Sequence, residues 1–397
     1  MADIKKYLGG SPSTLNQLNI SVVLDRIRRQ HSITKSGLAK NLNLSLPTIS
    51  RIVNTLIEKG YVIEAGFGKS SGGKKPKILE FNSRKAFIAG IAIDINFIEI
   101  ILSDLSGNER KYLHKEFLSD KNPDTIIETI IEYINKSVEE THIDKKELEV
   151  ISLGIPGMIE KETNLVKLIP TIPVWEGINL KEILTKKTGK EVLIDNMNNM
   201  SLLGERWKGK ANGYNDVVFV GVGTGIGSGI LINGKIFRGF NGSAGEVGYM
   251  FIDRNMDKSI SDPQGQFEYL ASEIALKKEI CKMCLSDNIS MENSDRHIIG
   301  LLEDAKYFKH ILGIIDNFAY GITNLITILN PELVIVEGSL FEKSENAFEY
   351  LVKKVKELSK FKTKITMSSL GKKAISIGAV IHGLKYLDKK IISPLFL

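Results

Sequence analysis

Five glycines at alternate positions, Gly221-Val-Gly-Thr-Gly-Ile-Gly-Ser-Gly229, constrain this chain more than any other feature. Flanked by apolar runs at 217–222 and 229–232, they predict a hairpin whose tip lets backbone N–H groups approach an anion closely. The run is neither a dinucleotide fingerprint nor a Walker loop, because no Lys-Ser/Thr pair follows at the required offset. Taken alone it fits a phosphate cradle and a merely tight hairpin equally well. Around it, strand-like segments at 87–101, 149–153, 192–194 and 333–336 alternate with helical ones at 125–140, 180–188 and 308–329. That alternation predicts an α/β body of two lobes.

A length of 397 residues leaves room for two or three domains, and 43% hydrophobic with 25% charged residues is the composition of a globular chain. The first ten residues lack the apolar core of a signal peptide, and the most apolar stretch, 86–102, is interrupted by Asp94 and Glu99. The expectation is a cytoplasmic protein with no membrane span. Two cysteines exclude a disulfide framework. The net charge of +6 conceals a segregation: residues 1–87 carry 15 Lys/Arg against 5 Asp/Glu, a balance of +10, and the remainder carries −4. A basic head on a slightly acidic body points to a polyanion-binding module joined to a unit with another task.

In the head, Ile20, Val23, Leu24 and Ile27 recur at helical spacing over 19–30. Thr34 caps a short helix over 35–41 with Leu38 and Ala39 inward, and Ser45 caps a third over 46–59, with Pro47 tolerated in its first turn. Ile49, Ile52, Val53, Leu56 and Ile57 form the buried stripe of that third helix, and Gly60 ends it. Its other face presents Thr48, Ser50, Arg51 and Asn54, the groups with which a recognition helix reads base edges in the major groove. Strands at 61–65 and 78–82 enclose a tip, 66–77, that carries Lys69, Lys74, Lys75 and Lys77. Helix-turn-helix plus hairpin is a winged helix, so the expected partner is double-stranded DNA, contacted by Ser45, Thr48, Ser50, Arg51, Asn54, Lys69, Lys74 and Lys75. The competing reading is a small helical protein-binding domain with a solvated loop.

Gly154-Ile-Pro-Gly157, Asp195-Asn-Met-Asn198 leading into Leu203-Gly-Glu205, the glycine turn, Ala244-Gly-Glu-Val-Gly248, Gly265-Gln-Phe-Glu268 and Leu329-Asn-Pro-Glu332 follow one another in order. With a winged helix in front, this series resembles the ROK family (repressors, open reading frames, kinases), specifically its repressor branch, which includes xylose repressors, over residues 15 to 385. The resemblance implies an α/β fold in which an N-terminal winged helix-turn-helix, 1–84, precedes a two-lobed actin-like, sugar-kinase-type body. The first lobe is expected at 85–199 with 375–397 added, and the second at 200–374 with sugar-binding and dimerisation elements.

By the same resemblance the kinase chemistry is missing. The family's Asp-x-Gly-x-Thr phosphate turn reads Asp94-Ile-Asn-Phe-Ile98, where Asn96 and Phe97 bring side chains to a turn that needs backbone approach. The kinases' general base falls on Asn196, an amide, while Asp195, one residue earlier, would point elsewhere. The C-terminal nucleotide turn reads Glu337-Gly338-Ser339, a carboxylate where adenosine should approach. The family's zinc motif aligns with 259–266, which has no cysteine, and its partner His is Tyr249, so no metal is expected. Cys281 and Cys284 form a pair with no second pair, on a segment, 269–284, that reads as one helix. A pyranose needs convergent acceptors and an apolar face, and the resemblance assigns it Thr171, Asp195, Asn196, Glu246, Tyr249 and Glu268, with Trp175 either near the cleft or a packing residue. The implied function is a homodimeric, sugar-responsive repressor of a palindromic operator, released by xylose or another pentose or hexose, without cofactor or catalytic residue. The alternatives are a sugar kinase that keeps a DNA-binding domain and a constitutive DNA-binding protein with a vestigial body.

Overall fold

A computed structural model of the chain describes residues 12–30, 32–68, 75–116, 122–169, 172–254, 264–286 and 305–392. The head consists of α1 (Pro12–Arg29), α2 (Lys35–Leu42), α3 (Leu46–Glu58) and the antiparallel pair β1 (Val62–Phe67) and β2 (Lys77–Phe81). The caps form where the side chains demand them: Thr34 accepts from the Gly37 N–H and Ser45 from the Thr48 N–H. Ile20, Val23, Leu24, Ile27, Leu38, Ile49, Ile52, Val53 and Leu56 close the core. Helix α1 starts earlier than periodicity predicts, because Leu15 and Leu18 in its first turns are exposed and give no buried stripe to read.

The first lobe carries β3 (Phe87–Ile93), β4 (Phe97–Asp104), β5 (Glu109–Glu116), α4 (Pro123–Glu140), β6 (Leu148–Ile155), the short pair β7 (Met158–Ile159) and β8 (Val166–Lys167), α5 (Leu180–Thr188) and β9 (Glu191–Asn196). Its five-stranded sheet runs β5-β4-β3-β6-β9, antiparallel on the β5 side and parallel on the β9 side. The single strand expected over 87–101 is therefore two, because Asp94 folds the chain back by accepting from the Ile95 N–H while its own N–H donates to the Phe97 carbonyl.

Helix α6 (Met197–Lys208) leads into the second lobe: β10 (Val217–Val222), β11 (Ile226–Ile232), β12 (Lys235–Ile236), α7 (Gln266–Ala271), α8 (Glu273–Ser286), α9 (Ala305–Leu329), β13 (Leu333–Gly338), α10 (Ser339–Lys343), α11 (Glu345–Leu358) and β14 (Lys364–Met367). Its sheet order, β12-β11-β10-β13-β14, and its strand directions repeat those of the first lobe. The helix expected over 269–284 is broken at Ser272, whose extended backbone turns the Glu273 N–H to the Gly223 carbonyl. By length and composition 308–329 would pass as a membrane span, contrary to the expectation that no segment does. Its inner face, Ile311, Ile315, Phe318, Ile322 and Ile326, is buried in the second-lobe core.

The last helix, α12 (Lys373–Ile392), joins all three units. It packs across α6 and on β3 and β6. The crossing is backbone on backbone: a Cβ on Gly378 would lie 1.7 Å from the Met200 carbonyl oxygen, and one on Gly204 would lie 2.3 Å from that of Ala374. Fully buried Glu205 on α6 accepts from the N–H groups of Ser369 and Leu370 and from the Ser368 hydroxyl, fixing the approach to α12. At its far end Ile391 is part of the head's core, and Asp388 takes a two-pronged ion pair from Arg28 at 2.6 and 3.0 Å. Gly378→Ala is expected to cost about 1–3 kcal/mol, the range for an overpacked core, read as a lower urea midpoint. An unchanged midpoint would show that the two helices can separate freely.

Candidate functional site

Between the lobes lies a cleft of about 430 Å³. It sits at the carboxyl ends of the strands, where α/β sheets bind ligands, and the first hairpin turn of each lobe lines it, Asp94-Ile95-Asn96 from one side and Gly223-Thr224-Gly225 from the other. The glycine run has a packing reason. A Cβ on Gly221, Gly227 or Gly229 would meet Asn198 at 2.2–2.5 Å, and one on Gly225 would meet the Glu268 carboxylate at 2.6 Å. The hairpin is thus seated on the start of α6 and against Glu268, with its tip facing the cleft.

Glu246, Tyr249 and Glu268 line the cleft together with Asn196. Glu268, at the start of α7, accepts from the Ile226 N–H at 3.2 Å. The Glu246 carboxyl has no hydrogen-bond partner among the described residues, and burial, reinforced by the charge of Glu268, pushes its pKa up to about 7. The part-buried carboxyl opens on the cleft, where the hydroxyls of a sugar can donate to it. Burial and both glutamates also raise the Tyr249 hydroxyl above its ordinary value, so it faces the cleft as a donor.

The remaining expected sugar residues are placed otherwise. Asp195 is outside the cleft lining: its carboxylate receives Arg238 at 2.6 and 2.9 Å, the Asn196 N–H and the Asn199 amide. Asn196 caps α6 through its Oδ1 and donates its amide to the Gly157 carbonyl, so both polar ends are engaged. Trp175 is fully buried in the first-lobe core, a packing residue. Thr171 lies outside the described residues, as do 259–263 and the side chain of Cys284. Sequence reasoning missed Arg238, whose only signal is a lone cation in a glycine-rich loop, and Leu168, a cleft residue held at φ 49°.

At the other end of the cleft, Asn96 brings its side chain to the first turn, but Phe97 does not. Phe97 is 4% exposed, stacked on His114 at 5.5 Å with Lys372 over its ring, because alternation along β4 turns it inward. Glu337 and Ser339 do line the cleft. Burial and the nearby Glu342, Asp94 and Glu273 push the Glu337 carboxyl up to about 8, despite Lys372.

In the head, Arg51 and Asn54 are exposed on α3, Arg51 donating to Asn16 at 2.7 Å and Asn54 accepting from Lys35 at 2.6 Å. Ser45 and Thr48 are bonded to each other in the cap, and Ser50 is half-buried. Lys75 is exposed at the base of the wing, Lys77 pairs with Glu64, and Lys69 and Lys74 lie outside the described residues. The head's order of elements is that of a winged helix.

A model of the ROK family matches residues 88–384 and one of the MarR family residues 13–63. A xylose repressor of Caldicellulosiruptor bescii is 33% identical over 387 residues, 94% of this chain and 96% of that one. The crystal structure of a ROK family transcriptional regulator, a homologue of the E. coli MLC protein, superposes with a TM-score of 0.78 at 19% identity, covering 96% and 99% of the two chains. A ROK family glucokinase from Streptomyces griseus, solved with glucose and AMPPNP, gives 0.64 at 20% identity, covering 75% and 99%. The fold is thus a winged helix-turn-helix before a two-lobed, actin-like body of the sugar-kinase type.

Two expectations follow. Arg51→Ala is expected to cost about 1–3 kcal/mol of discrimination between specific and random duplexes, whereas Lys75→Ala weakens both alike and flattens the salt dependence, as measured by fluorescence anisotropy. Equal losses on both duplexes for both variants would contradict that division. For Glu246, the folded pKa lies above the unfolded one, so the folded state holds an extra proton between about pH 4.5 and 7 and loses stability as pH rises through that window. Glu246→Gln removes the effect, so the variant should gain about 3 kcal/mol on the native protein between pH 4.5 and 8 in urea unfolding. A difference independent of pH would mean that the carboxyl is well solvated.

Proposed function

The chain belongs to the ROK family, and from that premise we propose how it acts as a sugar-responsive transcriptional repressor: the winged helix binds operator DNA and the body senses a monosaccharide. The observation that carries this reading is α12. Ile375 on its first turn lines the cleft, and Ile391 on its last is built into the core of the head. What happens in the cleft is therefore joined to the head by one continuous helix.

In this proposal the protein is a cytoplasmic homodimer on a palindromic operator, with the head at 1–84 and the lobes divided at about residue 200. Its effector is xylose or another pentose or hexose, with Glu246, Glu268 and Tyr249 as the sugar-binding residues. The body is not an enzyme. An amide at Asn196 cannot take a proton from a sugar hydroxyl, and the Asn196 side chain is already engaged in capping α6 and in holding Gly157. Asn96 carries a side chain at the turn where close backbone approach to a phosphate is needed.

A sugar releases the operator only if it binds the DNA-free arrangement better, because equal affinity shifts nothing. Closure of the cleft around Glu246 and Glu268 supplies the differential contact, and α12 passes the displacement to α1 through Asp388 and Arg28. A coupling of about 1–3 kcal/mol gives a 5- to 150-fold loss of operator affinity. Operator affinity measured with and without xylose tests this. Glu268→Gln should still bind operator but no longer release it, and Arg28→Ala should bind sugar yet release poorly. If sugar tightens operator binding, the sign is wrong; if Glu268→Gln responds like the native protein, Glu268 only braces the glycine turn.

A further inference from the structure

Two of the groups expected to read bases from α3 are each held by a residue of a different helix. Arg51 donates from Nη2 to Oδ1 of Asn16 on α1 at 2.7 Å, and Lys35, the first residue of α2, donates from Nζ to Oδ1 of Asn54 at 2.6 Å. Arg51 and Asn54 are exposed, whereas Asn16 and Lys35 are half-buried. Asn16 stands one helical turn before Ile20 and Lys35 one turn before Leu38, and both of those residues share a core with Ile49, Ile52 and Val53 of α3. The partners are therefore mounted on backbones that one core holds in place. A hydrogen bond at the surface is exchanged against water and adds little to stability. What these two bonds fix is orientation, and chemistry sets their polarity. An ammonium and a guanidinium carry donors only, so each faces the oxygen of the amide it meets and never the nitrogen. Lys35 thus holds Asn54 with Oδ1 turned to the ammonium and Nδ2 turned away, and Asn16 takes one N–H of Arg51 and leaves the others free.

We propose that Asn16 and Lys35 are positioning residues for sequence readout: Asn16 holds the Arg51 fork for a guanine, and Lys35 restricts Asn54 to keto bases, guanine or thymine. The inference rests on the reading of α3 as the recognition helix. In the major groove guanine presents N7 and O6 and thymine presents O4, all acceptors, whereas adenine and cytosine place a donor amino group there. A free asparagine amide pairs with adenine through both of its ends, accepting from N6 and donating to N7. With Oδ1 held by a cation, the adenine amino group meets Nδ2 and the Lys35 ammonium, donor against donor, and a keto oxygen is the better match. Arg51 has a long side chain that would otherwise have to be ordered on binding. The bond to Asn16 orders it beforehand, so that less is lost when the guanidinium meets its base.

Selection of duplexes from a randomised library by the full chain without sugar, followed by competition binding at single-base changes, tests it. The native protein is expected to select a guanine at the position whose preference Arg51→Ala abolishes, and a keto base at the position found likewise with Asn54→Ala. Lys35→Met should admit adenine at the Asn54 position, raising its affinity relative to the keto base about tenfold, while Lys35→Arg, again a donor only, keeps the keto preference. Asn16→Ala should lower discrimination at the guanine about five- to tenfold. Asn16→Asp, which supplies a carboxylate acceptor, should restore that discrimination while binding every duplex more weakly. Affinity for random duplex is the control for folding, and the Lys35 variants, on another helix, keep the test decisive should Asn16→Ala unfold. An adenine or cytosine selected at the Asn54 position by the native protein, or native base preferences in both Lys35→Met and Asn16→Ala, overturns the inference. So does an Asn16→Ala variant that binds specific and random duplexes more tightly alike, since Asn16 would then withhold Arg51 from DNA. If Arg51→Ala and Asn54→Ala leave every preference in place, it is the reading of α3 as the recognition helix that fails.

Discussion

The crossing of α6 and α12 is the contact on which the rest of the molecule depends. Gly378 lies against the Met200 carbonyl, Gly204 lies against that of Ala374, and the buried Glu205 ties residues 368–370 to α6. Backbones that meet without side chains between them leave no room to slide, so the two helices behave as one unit. That unit has the start of α6 under the glycine hairpin and the end of α12 in the core of the head. Glu99, 5% exposed, adds a buried acceptor for Ser376 on α12 and Tyr112 on β5, which locks the same helix to the first-lobe sheet.

Around this unit the two lobes are built to one plan. Both sheets have the same order and directions, and both present their first hairpin turn to the cleft. One turn carries the side chains of Asp94 and Asn96, the first folded onto the Ile95 N–H; in the other the glycines leave the backbone bare. The asymmetry gives a single cleft two characters. Near Glu246, Glu268 and Tyr249 it offers an unpartnered acceptor and a phenol to a neutral polyol, and at its other end the Glu273 carboxylate is already bonded to Ser339 while burial keeps Glu337 largely protonated.

Local grammar was easy to read from the chain. Thr34 and Ser45 cap the helices they were expected to cap, because a hydroxyl three residues ahead of an orphan N–H needs nothing distant to form its bond. The stripe of Ile49, Ile52, Val53 and Leu56 is buried for the same reason, since periodicity alone decides which face is apolar. The errors fall where a distant partner intervenes. Phe97 was expected in a turn and is packed under Lys372; a break at Ser272 divides one expected helix because Glu273 is held by Gly223. Asp195 reads as a free acceptor in the sequence and is an ion pair with Arg238, 43 residues away, in the structure.

By itself, then, the amino-acid sequence determined the winged helix, the alternating body, the segregation of positive charge and the ordered motifs that mark the family. All of these rest on interactions between residues close in the chain or on the kind of residue present at a spacing. Only the tertiary structure decided that the two lobes share a topology that no repeat in the sequence records, and that Glu246 is left without a partner while Asp195 is not. It also decided that Glu273 occupies the donors of Ser339, and that one helix runs from the cleft into the head. Each of these depends on which groups are brought together across tens to hundreds of residues, and a carboxylate's role is set by the donors that reach it, which its own position in the chain does not specify.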